Sequence, residues 1–140
     1  QPERVVSVDI WHQGRGFSTV LAYDENKRCV ATWVDLPELW DFKETLEVYG
    51  ADERVIISFP TGFSRGLPVT VTIQASENGA PYRRELVLSR DPGFQAEIEH
   101  FHTCILEGKP PLTGPEGARD DVGLVRDIVL VARQQRAGGH

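Results

Sequence analysis

The order in which hydrophobic patterns follow one another limits the possible folds more than any other feature of this chain. Segments in which every second residue is apolar come first, and segments with apolar residues at i, i+4 and i+7 follow them. The first spacing is typical of a half-buried strand and the second of an amphipathic helix. Strands followed by helices are typical of the α+β class. We therefore expect a mainly antiparallel open sheet of about six or seven strands, with two C-terminal helices packed on one face.

The strand predictions depend on alternation and on turn residues. In 4–12, Val6, Val8 and Ile10 alternate with polar residues. Short polar turns separate most of the segments, and short connections join antiparallel neighbours. The predicted turns include Asp24–Lys27, Ala51–Glu53 and Glu77–Ala80. The predicted strands are 4–12, 17–23, 29–36, 42–50, 54–60, 69–75 and 82–88.

Two helices are predicted near the C-terminus. The first carries the apolar stripe Phe94, Ile98, Phe101 and Ile105, and Gly108 is expected to end it as the C′ glycine. For the second helix, the segment "TGPE" offers an N-cap, a proline in the first turn and a capping-box acid. These residues are Thr113, Pro115 and Glu116. The expected core-facing stripe of the second helix is Ala118, Val122, Val125, Val129 and Ala132.

Length and charge exclude several classes of protein. A chain of 140 residues is expected to form one domain, residues 1–140. The formal net charge of -6 argues against a nucleic-acid partner. No apolar run reaches the roughly 18 residues of a membrane span. Cys29 and Cys104 are isolated in sequence, so a disulfide framework is not expected and the cytoplasm is the predicted location.

Several motifs that could carry chemistry have simpler structural explanations. The stretch "GRGFST" (14–19) lacks the third glycine of a dinucleotide loop and leads into a strand, so a hairpin loop is expected. His100 and His102 lie about 200° apart on a helix and cannot easily share one metal ion. No metal site and no dinucleotide site are therefore predicted in this chain.

The paired acids and the helix cysteine are also predicted to be structural. Asp120 and Asp121 stand beside arginines on a helix surface, which favours a solvated charged face. The pair Glu97 and Glu99 has the same explanation. Cys104 lies next to the apolar stripe without an evident histidine partner, so we expect a residue at the edge of the core. No catalytic residue is predicted.

The segment "WHQGR" (11–15) is the one loop with a credible binding role. It ends a strand and brings together an aromatic ring, an imidazole, an amide and a guanidinium. These groups can stack against a polar ligand such as a sugar and hydrogen-bond to it. The candidate substrate-binding residues are Trp11, His12 and Arg15. An ordinary polar hairpin remains the alternative explanation.

The closing stretch "FQAEIEHFHTCILEGKPPLTGPEGARDDVGLVRDIVLVAR" resembles the C-terminal end of the glucose–fructose oxidoreductase, inositol dehydrogenase and rhizopine-catabolism (Gfo/Idh/MocA) family. The stretch "FKETLEVYGADERVIISFP" is similar to a strand pair of that family. The matching positions of the closing stretch are Phe94, Glu97, Ile98, Phe101, Cys104, Ile105, Gly108 and Pro111. Those of the strand pair are Glu44, Val48, Gly50 and Val55.

This resemblance implies a parent protein with two domains. An N-terminal Rossmann domain would hold NAD or NADP and supply a lysine, commonly in a Glu-Lys-Pro motif. The C-terminal domain would supply the wall for a small-molecule substrate, a sugar, polyol or related compound. Neither Glu-Lys-Pro nor the family's Asp-x-x-x-His occurs in this chain, since Gly108-Lys109-Pro110 is the elbow between the helices. The resemblance therefore implies that the chain alone is inactive and binds no cofactor.

Three further expectations follow. The chain contains no methionine and begins Gln1-Pro2, so we expect a piece of a longer protein that lacks the Rossmann domain. Self-association is expected through the open sheet face that carries residues such as Thr70, Thr72 and Gln74. The alternative from another functional class is a free-standing, non-catalytic ligand-binding or dimerisation module, because fold does not determine function.

Overall fold

The fold was taken from a computed structural model, which describes residues 1–39, 43–61, 66–88 and 93–137. It contains seven β-strands and two α-helices, in the predicted order. The strands are β1 (Arg4–Trp11), β2 (Gly16–Ala22), β3 (Arg28–Val34), β4 (Glu44–Tyr49), β5 (Glu53–Phe59), β6 (Thr70–Glu77) and β7 (Ala80–Val87). The helices are α1 (Gly93–Glu107) and α2 (Pro115–Ala137). The α+β class is confirmed, whereas residue 42, predicted to start the fourth strand, lies outside the described residues.

The strands form two sheets and not the one sheet of six or seven strands that we predicted. One sheet has the order β1-β2-β3 and the other the order β4-β5-β6-β7, with every pair antiparallel. The prediction failed because alternation shows where strands are, while hydrogen bonding between β3 and β4 is a separate, non-local event. Pro37 follows β3, as predicted, and lacks the N–H that a ladder needs.

The chain divides into two compact units. The first comprises Gln1–Glu38 and Pro110–His140, and the second comprises Leu39–Lys109. The first unit holds the three-stranded sheet and α2, and the second holds the four-stranded sheet and α1. Whether the chain acts as one domain stays a prediction.

In the first unit, α2 lies against β1. The side-chain oxygen of Gln135 accepts a hydrogen bond from the backbone N–H of Val8 at 3.0 Å, which satisfies a donor on the edge strand. The inner side of β2 is the best-buried part of the sheet, with Leu21 5% exposed. Beside it, the Thr19 hydroxyl donates to the Ser7 carbonyl at 3.1 Å and is thus paired inside the core.

Most of the face of α2 that packs is not the predicted one, and of the predicted stripe only Ala132 is half-buried. The half-buried side chains are Leu124, Ile128, Val131 and Ala132. The first three are spaced i, i+4, i+7, and their stripe lies about 100° around the helix from the predicted one. Of the predicted residues, Val122 and Val125 remain exposed. The helix thus carries two apolar stripes, and the sequence pattern could not tell which of them contacts the strand.

In the second unit, cross-strand register divides the four-stranded sheet into two faces, because residues opposite one another share a face and successive residues alternate. We call one the apolar face; it is formed by Leu46, Val48, Val55, Ile57, Phe59, Val71, Ile73 and Leu86. The opposite, mainly polar face carries Thr45, Glu47, Tyr49, Arg54, Ser58, Thr70, Thr72, Gln74, Arg83 and Glu85, together with Ile56 and Val87; we call it the polar face. Within the described residues, α1 has no strand contact as extensive as that of α2. The prediction that both helices pack on one sheet face is therefore wrong.

The turns and helix ends agree better with the sequence predictions than the packing of the helices does. The turn residues Asn78 and Gly79 both have positive φ, as a two-residue hairpin requires. Gly108 has φ 64°, and the N–H of Lys109 donates to the Cys104 carbonyl at 3.0 Å, which is the C-terminal motif expected after α1. At α2 the N-cap is Gly114, whose carbonyl accepts from Ala118 at 3.1 Å, so the predicted cap is misplaced by one residue. None of the described helices is both long and apolar enough to cross a membrane.

Candidate functional site

The loop between β1 and β2, which contains the candidate residues His12 and Arg15 and directly follows Trp11 at the end of β1, has an unusual backbone conformation. His12, Gln13 and Gly14 form one short 3-10 turn with φ values of 52°, 58° and 89°. Left-handed backbone costs roughly 1–2 kcal/mol for each residue with a Cβ. The turn is closed by the Arg15 N–H, which donates to the His12 carbonyl at 3.1 Å. Such conformations cluster at functional sites, so the loop is a candidate site on its geometry as well as on its residues.

Trp11 is held in place by a glycine on the neighbouring strand. Trp11 lies opposite Gly16, and a Cβ added to Gly16 would stand 2.8 Å from the indole carbon Cε2. The ring therefore rests directly on the Gly16 backbone, and Gly16 is buried beneath it. Trp11 itself is still 37% exposed, which leaves part of its indole accessible.

Of the two other candidate residues, His12 lies beside this ring. The imidazole of His12 is centred 6.4 Å from the Trp11 ring and is tilted by 48°. Arg15 is exposed, and its carbonyl accepts a hydrogen bond from the Asp35 N–H at 2.6 Å, which ties the loop to the end of β3. Within the described residues the Arg15 guanidinium has no carboxylate partner. The structure thus places His12 beside Trp11, and the role of the three residues in binding stays a prediction.

A row of polar side chains beside Trp11 was not predicted from the sequence. Asp9, two residues before Trp11, lies on the same sheet face because strand side chains alternate. Ser18 and Thr32 lie opposite in register, and their hydroxyl oxygens are 3.3 Å apart. The signal that could have found this row is the period of two in "DIW", combined with the pairing of β1, β2 and β3. That pairing is long-range information.

The helix cysteine has the histidine partner that the sequence analysis missed. The Cys104 Sγ lies 3.5 Å from the Nε2 of His100, one helical turn earlier. The i, i+4 spacing is the signal that could have revealed the pair. Cys104 is buried, as expected for a residue at the edge of the core, and His100 is half-buried. His102 is exposed.

The other motifs keep their structural interpretations. The "GRGFST" stretch forms the loop and start of the β1–β2 hairpin, as predicted. Asp120, Asp121, Glu97 and Glu99 are exposed on their helices. In the part of the chain that the structure describes, no group of three or more His, Cys, Asp or Glu residues could hold a metal ion.

The larger concavities lie away from the Trp11 loop. One of about 730 Å³ follows the proline-rich elbow and the first turn of α2, and one of about 590 Å³ lies at the β6–β7 hairpin. The residues that line both are mostly exposed, whereas a ligand site usually buries most of its ligand. The Trp11 surface remains the best candidate for ligand contact.

Comparison of the chain with protein-family models, with curated proteins and with solved structures found no match.

Proposed function

We propose that this chain is a C-terminal substrate-binding and oligomerisation domain of a cytoplasmic NAD(P)-dependent oxidoreductase that acts on a sugar, polyol or related compound. The sequence resemblance described above supports the parent enzyme. The observation that carries ligand binding is the Trp11 indole, fixed on Gly16 beside a row of hydroxyls and a carboxylate. In the parent, the dinucleotide would occupy the Rossmann domain, and hydride transfer is the chemistry of that cofactor.

The chemistry of the Trp11 surface fits a polyhydroxylated ligand. An exposed indole offers a flat apolar surface on which the C–H face of a sugar can pack. The Asp9 carboxylate accepts hydrogen bonds, the Ser18 and Thr32 hydroxyls both donate and accept, and Arg15 donates. Since the surface is open on one side, the chain alone buries little of a ligand and weak binding is expected.

Ligand contact is tested by titrating the isotope-labelled protein with a panel of hexoses and polyols and following amide and indole resonances. We expect millimolar binding with shifts confined to Asp9, Trp11, Arg15 and Ser18. Trp11→Ala should weaken binding about two- to twelvefold, since an aromatic contact contributes roughly 0.5–1.5 kcal/mol. The matched control is Trp33→Ala, because Trp33 stacks on Phe17 on the opposite sheet face. Equal weakening by both variants would count against the assigned surface.

Two experiments test the oxidoreductase assignment: reading the coding sequence upstream of Gln1 and measuring dinucleotide binding by the chain itself. A coding sequence that continues upstream with strand-Gly-x-Gly-x-x-Gly-helix and Glu-Lys-Pro would support the parent enzyme. Calorimetric titration of the chain with NAD and NADP is expected to give no heat of binding, because no described helix follows a glycine-rich phosphate loop. Micromolar binding of either dinucleotide would place the active site inside these 140 residues and overturn the proposal.

A second candidate function is a free-standing, non-catalytic ligand-binding or dimerisation module. The observation that favours it is the extent of uncovered apolar surface on both the sheet of the second unit and α1. An unrelated domain or a stop codon upstream, together with self-association of the chain, would select this candidate.

A further inference from the structure

The apolar face of the four-stranded sheet is uncovered. Leu46 is 49% exposed, and Val48 and Leu86 are exposed to a similar extent, while the central strands are only half-buried on this side. An aliphatic face of this kind is expected to lie against another layer, because a sheet must bury its hydrophobic side.

The stripe on α1 is equally uncovered. Phe94 is 75% exposed, and Ile98, Phe101 and Ile105 are also largely exposed. Helix and sheet belong to the same unit, yet the chain's own α1 makes no extensive contact with β4–β7 within the described residues. Two complementary apolar surfaces therefore stand open on one molecule.

The accessible surface area of the chain indicates that another molecule covers part of it. The chain exposes 11651 Å². A folded monomer of this mass exposes about 7,300 Å², and two separate domains of half its length would together expose about 8,800 Å². The surplus is thus on the order of 2,900 Å² even when the two units are counted separately. A standard interface buries about 800 Å² of each partner, so the open surface is ample for a stable dimer.

We propose that a second copy of this chain covers the apolar face, and that α1 is the element that does so. Each copy would insert its α1 stripe onto the apolar face of the other, which gives two identical contacts related by a twofold axis. This arrangement is an isologous interface, the commonest form of self-association. It deepens the proposed oligomerisation role and assigns it to the face opposite the one that carries Thr70, Thr72 and Gln74.

The dimensions of the two surfaces agree. From Phe94 to Ile105 the stripe is about 16 Å long at 1.5 Å per residue. Six paired residues of a strand extend about 20 Å, and four strands span about 14 Å between the outer axes. One α1 therefore fits lengthwise on one apolar face.

Charge at the margin supports the same pairing. Arg84 lies on the apolar face at the outer strand β7, in the row of Val48 and Ile73. Glu97 borders the α1 stripe, one residue before Ile98. Neither charge has an ion-pair partner among the described residues. A second copy would let Arg84 meet Glu97 at the edge of the docked helix.

The polar face is the weaker candidate because its groups already bond to one another. The Gln74 side-chain oxygen accepts from the Arg54 Nε at 3.1 Å, and the Arg54 guanidinium lies 5.8 Å from the centre of the Tyr49 ring. The Tyr49 hydroxyl donates to Glu47 at 2.6 Å, and Thr72 is buried. Covering this face would remove these polar groups from solvent without giving them new partners.

The test begins with mass measured by light scattering over a micromolar concentration range. We expect a species of twice the 15.7 kDa chain mass. Leu46→Glu on the sheet and Ile98→Glu on α1 should each weaken dimerisation about a hundredfold or more. The matched control is Thr45→Glu, one residue away on the polar face, which should leave the dimer unchanged. A monomer at all concentrations, or equal effects of Leu46→Glu and Thr45→Glu, would overturn the proposal.

Crosslinking identifies the occupant. In a background with Cys29→Ser and Cys104→Ala, one chain carries Ile57→Cys and a second, tagged chain carries Phe101→Cys. We expect a disulfide between the two different chains in the mixture, and none when Thr70→Cys replaces Ile57→Cys. Preferential Ile57–Ile57 crosslinks would mean that two sheets pack together. A disulfide within single chains carrying both cysteines, with none between chains, would mean that each α1 covers its own sheet. Either result overturns the proposal.

Circular dichroism confirms that each variant is folded. Sugar titration followed at Trp11 is run on the same samples, because that surface belongs to the other unit. A monomer that still binds the sugar overturns the docking proposal alone, whereas a dimer without sugar binding overturns the ligand proposal alone.

Discussion

The two units of this protein contain the same parts, an antiparallel meander and an amphipathic helix, but they use them differently. In the first unit α2 lies on β1, where the Gln135 side-chain oxygen accepts a hydrogen bond from the Val8 N–H, and the neighbouring strand β2 contains buried Leu21. In the second unit α1 has no comparable strand contact and the apolar face stays open. An apolar stripe thus predicts that a helix needs a partner without specifying the partner. The first unit satisfies this need internally, and we propose that the second does so between molecules.

The largest expected difference is between two leucines, Leu21 on the central strand of one sheet and Leu46 on an edge strand of the other. Leu21→Ala should lower the free energy of unfolding by about 2–3 kcal/mol, because the side chain is 5% exposed and its removal leaves a cavity. Leu46→Ala, at 49% exposure, should cost less than about 1 kcal/mol in the monomer. Urea unfolding, at a protein concentration below the dissociation constant of the dimer, measures both losses. Similar losses would remove the contrast between a covered and an uncovered sheet.

Gly16→Ala tests the close contact between the Trp11 ring and the Gly16 backbone in the first unit. The added methyl would meet the Trp11 ring at 2.8 Å, so the indole must move, with a cost of roughly 1–3 kcal/mol. The near-ultraviolet circular dichroism of Trp11 should change and sugar binding should weaken. The control is Gly123→Ala in α2, where a Cβ meets nothing within 4 Å. That variant should be more stable by up to about 1 kcal/mol, because alanine favours a helix.

A valine-to-alanine substitution, made separately on each of the two apolar stripes of α2, tests which stripe packs. Val131→Ala, on the half-buried stripe, should destabilise the protein by about 1 kcal/mol. Val125→Ala, at 60% exposure on the stripe predicted from sequence, should change stability by less than about 0.5 kcal/mol. Thermal unfolding of the two variants decides between them. The reverse order would restore the stripe that the sequence pattern indicated.

The smallest effect concerns pH and the turn between β2 and β3. Backbone N–H groups of Asn26 and Lys27 donate to the Asp24 carboxylate, and these bonds lower the pKa of Asp24 below its usual value. A pKa that is lower in the folded state adds stability at neutral pH, and this stability is lost as the pH falls through the folded-state pKa. Asp24→Asn should therefore show a slightly shallower loss of stability in acid. Nuclear magnetic resonance titration of the carboxylate carbon checks the direction, and an unshifted pKa would contradict it.

Local chemistry was readable from the sequence. All seven strands and both helices lie where alternation and stripe spacing predicted them. Asn78-Gly79 and Gly108 adopt the positive φ that their positions require, because these conformations depend on a few neighbouring residues. The candidate group Trp11, His12 and Arg15 was named from neighbouring residues of one short segment, and its role in binding stays a prediction.

Tertiary structure alone decided which elements meet. The separation of β3 from β4 into two sheets, the α2 stripe that contacts β1, and the alignment of Asp9 with Ser18 and Thr32 all depend on pairings between distant residues. A period of two or 3.6 fixes the side of an element on which a residue lies, but it contains no information about what lies opposite. The composition of the faces was therefore determined by the sequence pattern, while their partners were selected by the free energy of packing among the whole set of strands and helices.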